Sequence, residues 1–277
     1  VRPQGGSLLP AAAMLSIFEG YDVISFDLFD TLLFRTVGSA ENTFRLLEMQ
    51  RGQTGFAKER GLAEREARKT APHGEATLAD IYRVLKERGI VEDAQSAMAA
   101  EMAMEGRVLT PVSGMRELLE QLRARGKRLV ITSDMYLSAE ALGGYLSDAG
   151  FQPFERIFVS CETGCGKAGG KLLRRVAEEL GTRSILHVGD NLLADVIGAA
   201  QAGLDGAYIG NRQQLGLLGD VDFPPSMASA VTQGLIRNRF ALDGRVDKAF
   251  LAGYAVGGPL IYAACRWIKE QAEMRRW

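Results

Sequence analysis

The sequence predicts an α/β protein: a doubly wound parallel sheet, interrupted by a helical insert and followed by a helical extension. Three observations predict it. Short apolar runs at 22–27, 127–132, 156–160, 184–188 and 206–209 alternate with stretches of helical period, and repeated strand–helix units pair in parallel through right-handed crossovers. Gly126, Gly150, Gly181 and Gly203 follow the helical stretches 113–125, 138–149, 168–180 and 192–202, where a glycine stop is expected. Clusters of polar residues come directly after apolar runs. That is the C-terminal edge of the strands, where open parallel sheets build their sites.

In chain order, Asp22-Val-Ile-Ser-Phe-Asp27 reads as a buried first strand. Residues 39–50, 53–70, 77–89 and 92–108 then carry helical periodicity with almost no β-branched runs. Gly52, Pro72-His73-Gly74 and Gly89 punctuate them. These helices form an insert between the first strand and the rest of the sheet. Strand–helix alternation follows to residue 209. The remainder is loop-like through Pro224-Pro225 and then helical. Residues 249–268 are mostly apolar and long enough to cross a membrane. Gly257-Gly258-Pro259 interrupts them, so helices docked on a neighbour are expected instead of a span. The expected division is a core at 15–34 and 109–210, a helical unit at 35–108 and a helical extension at 211–277.

With 277 residues, 47% hydrophobic and 24% charged, the chain suits a globular protein with a full core. A net charge of −1 gives no electrostatic case for nucleic acid or an anionic membrane. Three cysteines, Cys161, Cys165 and Cys265, are too few and too odd in number for a disulfide scaffold, and fit a reducing cytoplasm. Cys161 and Cys165 lack a second ligand pair for zinc. His73 and His187 are the only histidines, which disfavours a Ser-His-Asp hydrolase. His187 lies in an apolar run and is expected as a satisfied core imidazole. Leu8, Leu9 and Ala11 to Ala13 are too short and too interrupted by Pro10 for a secretory signal.

The chemistry lies at the strand ends. Asp27 closes the first strand, and its carboxylate can attack phosphorus if a cation suppresses repulsion. Alone, it reads equally as a turn-capping aspartate. Ser133 ends the run Leu129-Val-Ile-Thr-Ser133; its hydroxyl can bond a phosphoryl oxygen, while Thr132 points to the other face. Lys167 precedes Ala168-Gly169-Gly170 and a helix, where an ammonium can reach a phosphate. Lys171, one turn later, competes for that role. Asp190 and Asp195, in Gly189-Asp-Asn191 and the helix after it, are hard oxygen ligands suited to Mg²⁺; N-capping is the plainer role for Asp190. Thr31, Asp134 and Asn191 flank these groups and are candidate substrate contacts.

Taken in order, Phe26-Asp-Leu-Phe-Asp-Thr-Leu32, Ser133, Lys167 and Gly189-Asp-Asn191 with Asp195 resemble the four motifs of haloacid dehalogenase (HAD) superfamily hydrolases. The resemblance covers 22–210, with a C1-type helical cap at 35–108. It implies a Rossmann-like core, Asp27 as nucleophile, Ser133 as phosphate-binding hydroxyl, Lys167 as the motif lysine and Asp190 as a Mg²⁺ ligand supported by Asp195. The backbone carbonyl of Phe29 is implied as a further ligand. One departure stands out: Phe29 occupies the place where phosphatases of the superfamily carry a general acid, and Asp30 lies one residue later. Losing that acid removes on the order of 10²–10⁴ in rate.

A narrower resemblance, carried by Phe26-Asp-Leu-Phe-Asp-Thr-Leu-Leu-Phe-Arg35, Ser133-Asp-Met-Tyr-Leu137 and the late Gly-Pro-Leu and Arg-Trp-Ile, is to bacterial HAD proteins associated with polysaccharide glycosyltransferases. The expected function is a Mg²⁺-dependent phosphohydrolase for a small phosphorylated metabolite such as a sugar phosphate of glycan synthesis. Two alternatives are a low-turnover module that docks on, or is fused to, a glycosyltransferase, and a 2-haloacid dehalogenase.

Overall fold

A computed structural model describes residues 15–209, 226–239 and 248–275 of the chain. The segments Leu8–Ala13 and 211–225, read above as no signal and as loop, lie outside those residues.

Strands β1 (Val23–Phe26), β4 (Arg128–Ser133), β5 (Arg156–Val159), β6 (Ile185–Gly189) and β7 (Asp205–Tyr208) form one sheet of order β5-β4-β1-β6-β7, parallel throughout. Each matches a predicted run to within about two residues at either end. The apolar runs are continuous because both faces are covered. Alternation along β1 sends Ile24 and Phe26 into the larger core, with Leu119, Leu122, Ile131 and Val188. Val23 faces the smaller core of Val130, Leu172, Val176 and Ile185. Burying each such side chain contributes about 1.5–3 kcal/mol.

The strands are joined by α5 (Met115–Ala124), α6 (Ala139–Asp148) and α7 (Lys171–Leu180). The stretch predicted as one helix at 192–202 is a π-helical turn, Leu192–Ile197, running into α8, Gly198–Ala202.

Between the first strand and α5 lie α1 (Ala40–Arg51), α2 (Phe56–Thr70), α3 (Leu78–Glu87) and α4 (Ala94–Val108). Ser39 caps α1, and Thr77 with Asp80 forms a capping box on α3. One feature escaped the sequence reading. Strands β2 (Leu33–Arg35) and β3 (Leu109–Pro111) pair antiparallel at the two ends of this helical insert. Three-residue strands carry no readable period, and Pro111 argues against one.

The C-terminal helices are α9 (Met227–Arg239), α10 (Lys248–Ala252) and α11 (Gly258–Arg275). The expected break at Gly257-Gly258-Pro259 is absent: a π turn, Gly253–Gly257, links α10 to α11, with Gly258 N–H donating to the Gly253 carbonyl. Proline at the second position of α11 needs no N–H partner there, and the wider turn takes up the strain. No helix of the described residues is long and apolar enough to cross a membrane.

Candidate active site

The strand register assembles the site. Phe26 is level with Ile131 on β4 and Val188 on β6. Asp27, Ser133 and Asp190 therefore emerge together at the C-terminal edge of three adjacent strands. They line a cavity of about 680 Å³ with Phe29, Asp30, Asp134, Lys167, Asn191, Leu192, Leu193, Ala194 and Tyr208.

Asp27 is almost buried, and its Oδ1 accepts from the Lys167 ammonium at 2.6 Å. The same ammonium lies 2.6 Å from Asp195 Oδ1. Burial alone would pull the lysine down; the carboxylates of Asp27, Asp195 and Asp134 overrule it and hold Lys167 above the usual range. Burial pushes Asp27 up, with Lys167 opposing. Lys171, the other candidate, is exposed in the first turn of α7.

Glycines make the position of Lys167 possible. A Cβ on Gly198 would lie 2.4 Å from the Lys167 carbonyl oxygen. Gly170, at φ +75°, would put one 2.7 Å from the Ala202 nitrogen. The lysine loop thus lies directly on the backbone of α8. Asp134 finishes the placement by accepting the Lys167 backbone N–H at 2.9 Å. Asp134, predicted as a substrate contact, lines the cavity and also holds the lysine loop.

Asp195 is fully buried, and the π turn brings it back beneath the site. Its Oδ2 accepts the Asn191 N–H at 2.8 Å, and its Oδ1 meets both Lys167 and His187 Nε2, the latter at 3.1 Å. The His187 bond and the Lys167 charge outweigh burial and keep Asp195 below the usual carboxylate range. Burial holds His187 down, hence neutral. With Asp195 ionised, Nε2–H donates to it and Nδ1 accepts from Ser25, 2.9 Å away. Ser25 also bonds Thr132 at 2.8 Å. His187 is the satisfied core imidazole expected from the sequence, but its partner is a site carboxylate. Its place in the same strand, two residues before the Gly-Asp pair, was the available signal.

Asn191, a candidate substrate contact, lines the cavity, and its Oδ1 accepts the N–H groups of Leu193 and Ala194, so it also caps the π turn, the role read for Asp190. Thr31 does need correction. Thr31 is fully buried and absent from the cavity wall, with no hydrogen-bond partner for its hydroxyl. The tight Leu28–Leu33 loop, closed by bonds from Leu32 and Leu33 N–H to the Leu28 carbonyl, turns it inward.

Asp30 takes a left-handed conformation, φ 58°, and lies on the cavity wall beside Asp27. Phe29 carries the Arg35 guanidinium 4.3 Å above its ring, and Arg35 is paired with Glu105 of α4 at 2.6 Å. This link from the insert to the nucleophile loop left no mark in the sequence.

Ser133 is buried on the cavity wall, and its hydroxyl makes no hydrogen bond among the described residues. The Asp190 carboxylate also has no hydrogen-bond or ion-pair partner there. Burial, then the charges of Asp27, Asp30 and Asp195, push it up to about 7. Asp27, Asp190 and Asp195 present oxygens within 4.8 Å of one another. An all-oxygen donor set with one unpartnered carboxylate and surplus negative charge fits a hard divalent cation. Asp195, with both oxygens engaged by the protein, fits a supporting place.

Such an arrangement suits a class of hydrolase: a strand-end carboxylate, clamped by a buried lysine and faced by a second carboxylate, on a parallel α/β sheet. The sequence matches the haloacid dehalogenase-like hydrolase family over residues 21–203, and the chain belongs to that family. No curated protein matches it. Several solved structures share the fold. A HAD-hydrolase from Bacillus subtilis, YfnB, bound to magnesium, is 22% identical, with a TM-score of 0.51 over 75% of this chain and 93% of that one. A 2-haloacid dehalogenase from Pseudomonas syringae pv. Tomato DC3000 is 18% identical, with a TM-score of 0.53 over 70% and 88%. A haloacid dehalogenase-like hydrolase from Xanthomonas campestris is 17% identical, with a TM-score of 0.50 over 80% and 95%.

Proposed function

We propose that this protein is a Mg²⁺-dependent phosphohydrolase that acts on a small phosphorylated metabolite through an aspartyl phosphate on Asp27. The observation that carries the reading is the unpartnered Asp190 carboxylate beside Asp27 and Asp30. Lys167 supplies one positive charge against several carboxylates, and a metal-free site has no use for the surplus. Asp27, Asp190 and the Phe29 carbonyl, with Asp195 behind them, would hold Mg²⁺, which would supply charge neutralisation for the phosphoryl oxygens.

The remaining steps belong to the chain. Lys167 occupies Asp27 Oδ1 and leaves Oδ2 to attack phosphorus. The phosphorus–oxygen ester bond breaks, and the alcohol leaves with a proton from Asp30 or from water. Ser133 donates its hydroxyl to a phosphoryl oxygen. Water then hydrolyses the acyl phosphate and frees Asp27. Residues 35–108 act as a C1-type cap over a core of 15–34 and 109–210, with 211–277 as an extension. The free thiols of Cys161, Cys165 and Cys265 support a cytoplasmic setting.

Two specific observations support other readings. Exposed Leu260, Ile261, Trp267 and Ile268 on α11 support a docking module, for which the narrower sequence resemblance suggests a polysaccharide glycosyltransferase as partner. Phe29 at the acid position favours low phosphatase turnover or 2-haloacid dehalogenase activity. The deciding experiment is phosphate release from sugar phosphates, nucleotides and p-nitrophenyl phosphate, with Mg²⁺ or EDTA. Release that needs Mg²⁺ and is lost in Asp27→Asn supports the phosphatase. Metal-independent release of halide from 2-haloacids replaces it with the dehalogenase.

A further inference from the structure

One wall of the cavity has no part in the chemistry above. Besides the carboxylates, Leu192, Leu193, Ala194 and Tyr208 line the same space, and Phe29 borders it. Leu192, Leu193 and Tyr208 are 54%, 68% and 43% exposed. Leucines this open cost solubility and add little to the core, so a cluster of them calls for an occupant. The π turn makes the cluster: Asn191 caps it, Asp195 is drawn inward, and the two leucines between them are left at the mouth.

The helical insert offers no apolar counterpart. Among the described residues of α1 to α4, Met49 is the only large hydrophobic side chain with high exposure. It lines a separate cleft with Arg45, Lys58 and Arg65, between α1 and α2. Closure of the insert over the site therefore leaves the leucines to meet whatever the cavity holds. Asp27, Asp190 and Lys167 are taken up by the phosphoryl group and its cation, Asp134 by the Lys167 backbone, and Asn191 Oδ1 by its cap. On this wall a polyhydroxylated leaving group would meet the Asn191 amide nitrogen and the Tyr208 hydroxyl, and its remaining hydroxyls would lie against apolar carbon.

We infer that Leu192, Leu193 and Tyr208 form a leaving-group subsite for an aryl or other apolar body, so that the substrate is a phosphate monoester of an aromatic or apolar alcohol in preference to a sugar. The inference rests on the phosphohydrolase reading for the phosphoryl end and adds the class of the other end. The wall is lined by planar and branched side chains, which suits a ring laid against Tyr208 and the leucines.

The test separates binding from turnover. Benzylphosphonate and a hexose phosphonate, neither hydrolysable, are titrated calorimetrically into the full chain with Mg²⁺. The expected result is a preference of roughly tenfold for benzylphosphonate, equivalent to about 1.4 kcal/mol. In Leu193→Asn, an exposed position where the fold tolerates the change, that ratio falls towards one. Equal affinities, a preference for the hexose, or binding of neither overturns the inference. So does a preference that Leu193→Asn leaves unchanged. Phosphate release and its loss in Asp27→Asn are measured separately. Absent release with the preference intact removes the hydrolase reading and keeps the subsite.

Discussion

Lys167 Nζ and Asp195 Oδ1 lie 2.6 Å apart, with side chains no more than 3% exposed. An ion pair this deep holds its geometry, and removing one partner strands the other. Lys167→Met leaves Asp27 and Asp195 buried without a cation. The expected loss is about 3–5 kcal/mol of stability, with phosphate release abolished. Lys171→Met, at an exposed position, stays within about 0.5 kcal/mol. Urea denaturation of the two variants compares them directly.

Asp27→Asn keeps the shape of the proposed nucleophile and removes its charge. Turnover is expected to fall by on the order of 10³ or more, with the far-ultraviolet spectrum unchanged. Retained activity assigns the attacking group elsewhere.

Asp190 gives the site a pH signature. Its folded value of about 7 stands above the ordinary carboxylate value of about 3.9. A raised acid favours the folded state when protonated. Its stabilising contribution is therefore full below pH ~4 and lost as pH rises through about 7. In EDTA, Asp190→Asn should match wild type at pH 4 and melt higher than wild type at pH 8. Mg²⁺ should close that gap, because the cation takes the place of the proton. Parallel melting curves that never separate would remove the shift.

Gly198 tests how the lysine loop is held. A methyl group there meets the Lys167 carbonyl oxygen at 2.4 Å, and both atoms belong to backbone-fixed elements. Gly198→Ala should lower turnover by displacing the ammonium from Asp27, with a smaller effect on KM. A crystal structure of the variant checks the displacement.

Arg60 is fully buried in the insert and bonds both oxygens of Glu101 at 2.7 Å, with Phe44 and Tyr136 against its guanidinium. Glu101→Gln removes the charge that compensates it. The expected cost is about 3–5 kcal/mol, or roughly 10 °C in melting temperature for a chain of this size. A change below about 1 °C would show that Glu64, which also bonds Arg60 at 3.0 Å, compensates unaided.

The parts legible in the sequence were those with a period or a fixed spacing. Runs such as Leu129–Ser133 read as strands because both faces are covered. Gly126, Gly150, Gly181 and Gly203 read as stops, and all four have positive φ. Contacts made across the fold were not legible. Nothing near Asp134 says that its carboxylate meets a backbone N–H thirty-three residues later. The cap made by Asn191 depends on where a turn begins, which no local pattern marks. The β2–β3 ribbon, the Arg35–Glu105 pair and the wide turns at 192–197 and 253–257 depend on tertiary packing, which local propensity does not encode.

The ribbon has a consequence for how such a chain can vary. Paired strands β2 and β3 bring residues 35 and 109 side by side, at the spacing of about 5 Å that separates neighbouring strands. The chain enters and leaves the insert there, and the insert also meets the core where Leu78 N–H donates to the Tyr136 carbonyl and the Tyr145 hydroxyl donates to the Met102 carbonyl. A different bundle, with ends equally close and a surface that suits Tyr136 and Tyr145, fits the same two strands without moving β1, β4 or β6. The chemistry at the strand tips can then stay fixed while its covering is exchanged, and selectivity drifts without rebuilding the nucleophile.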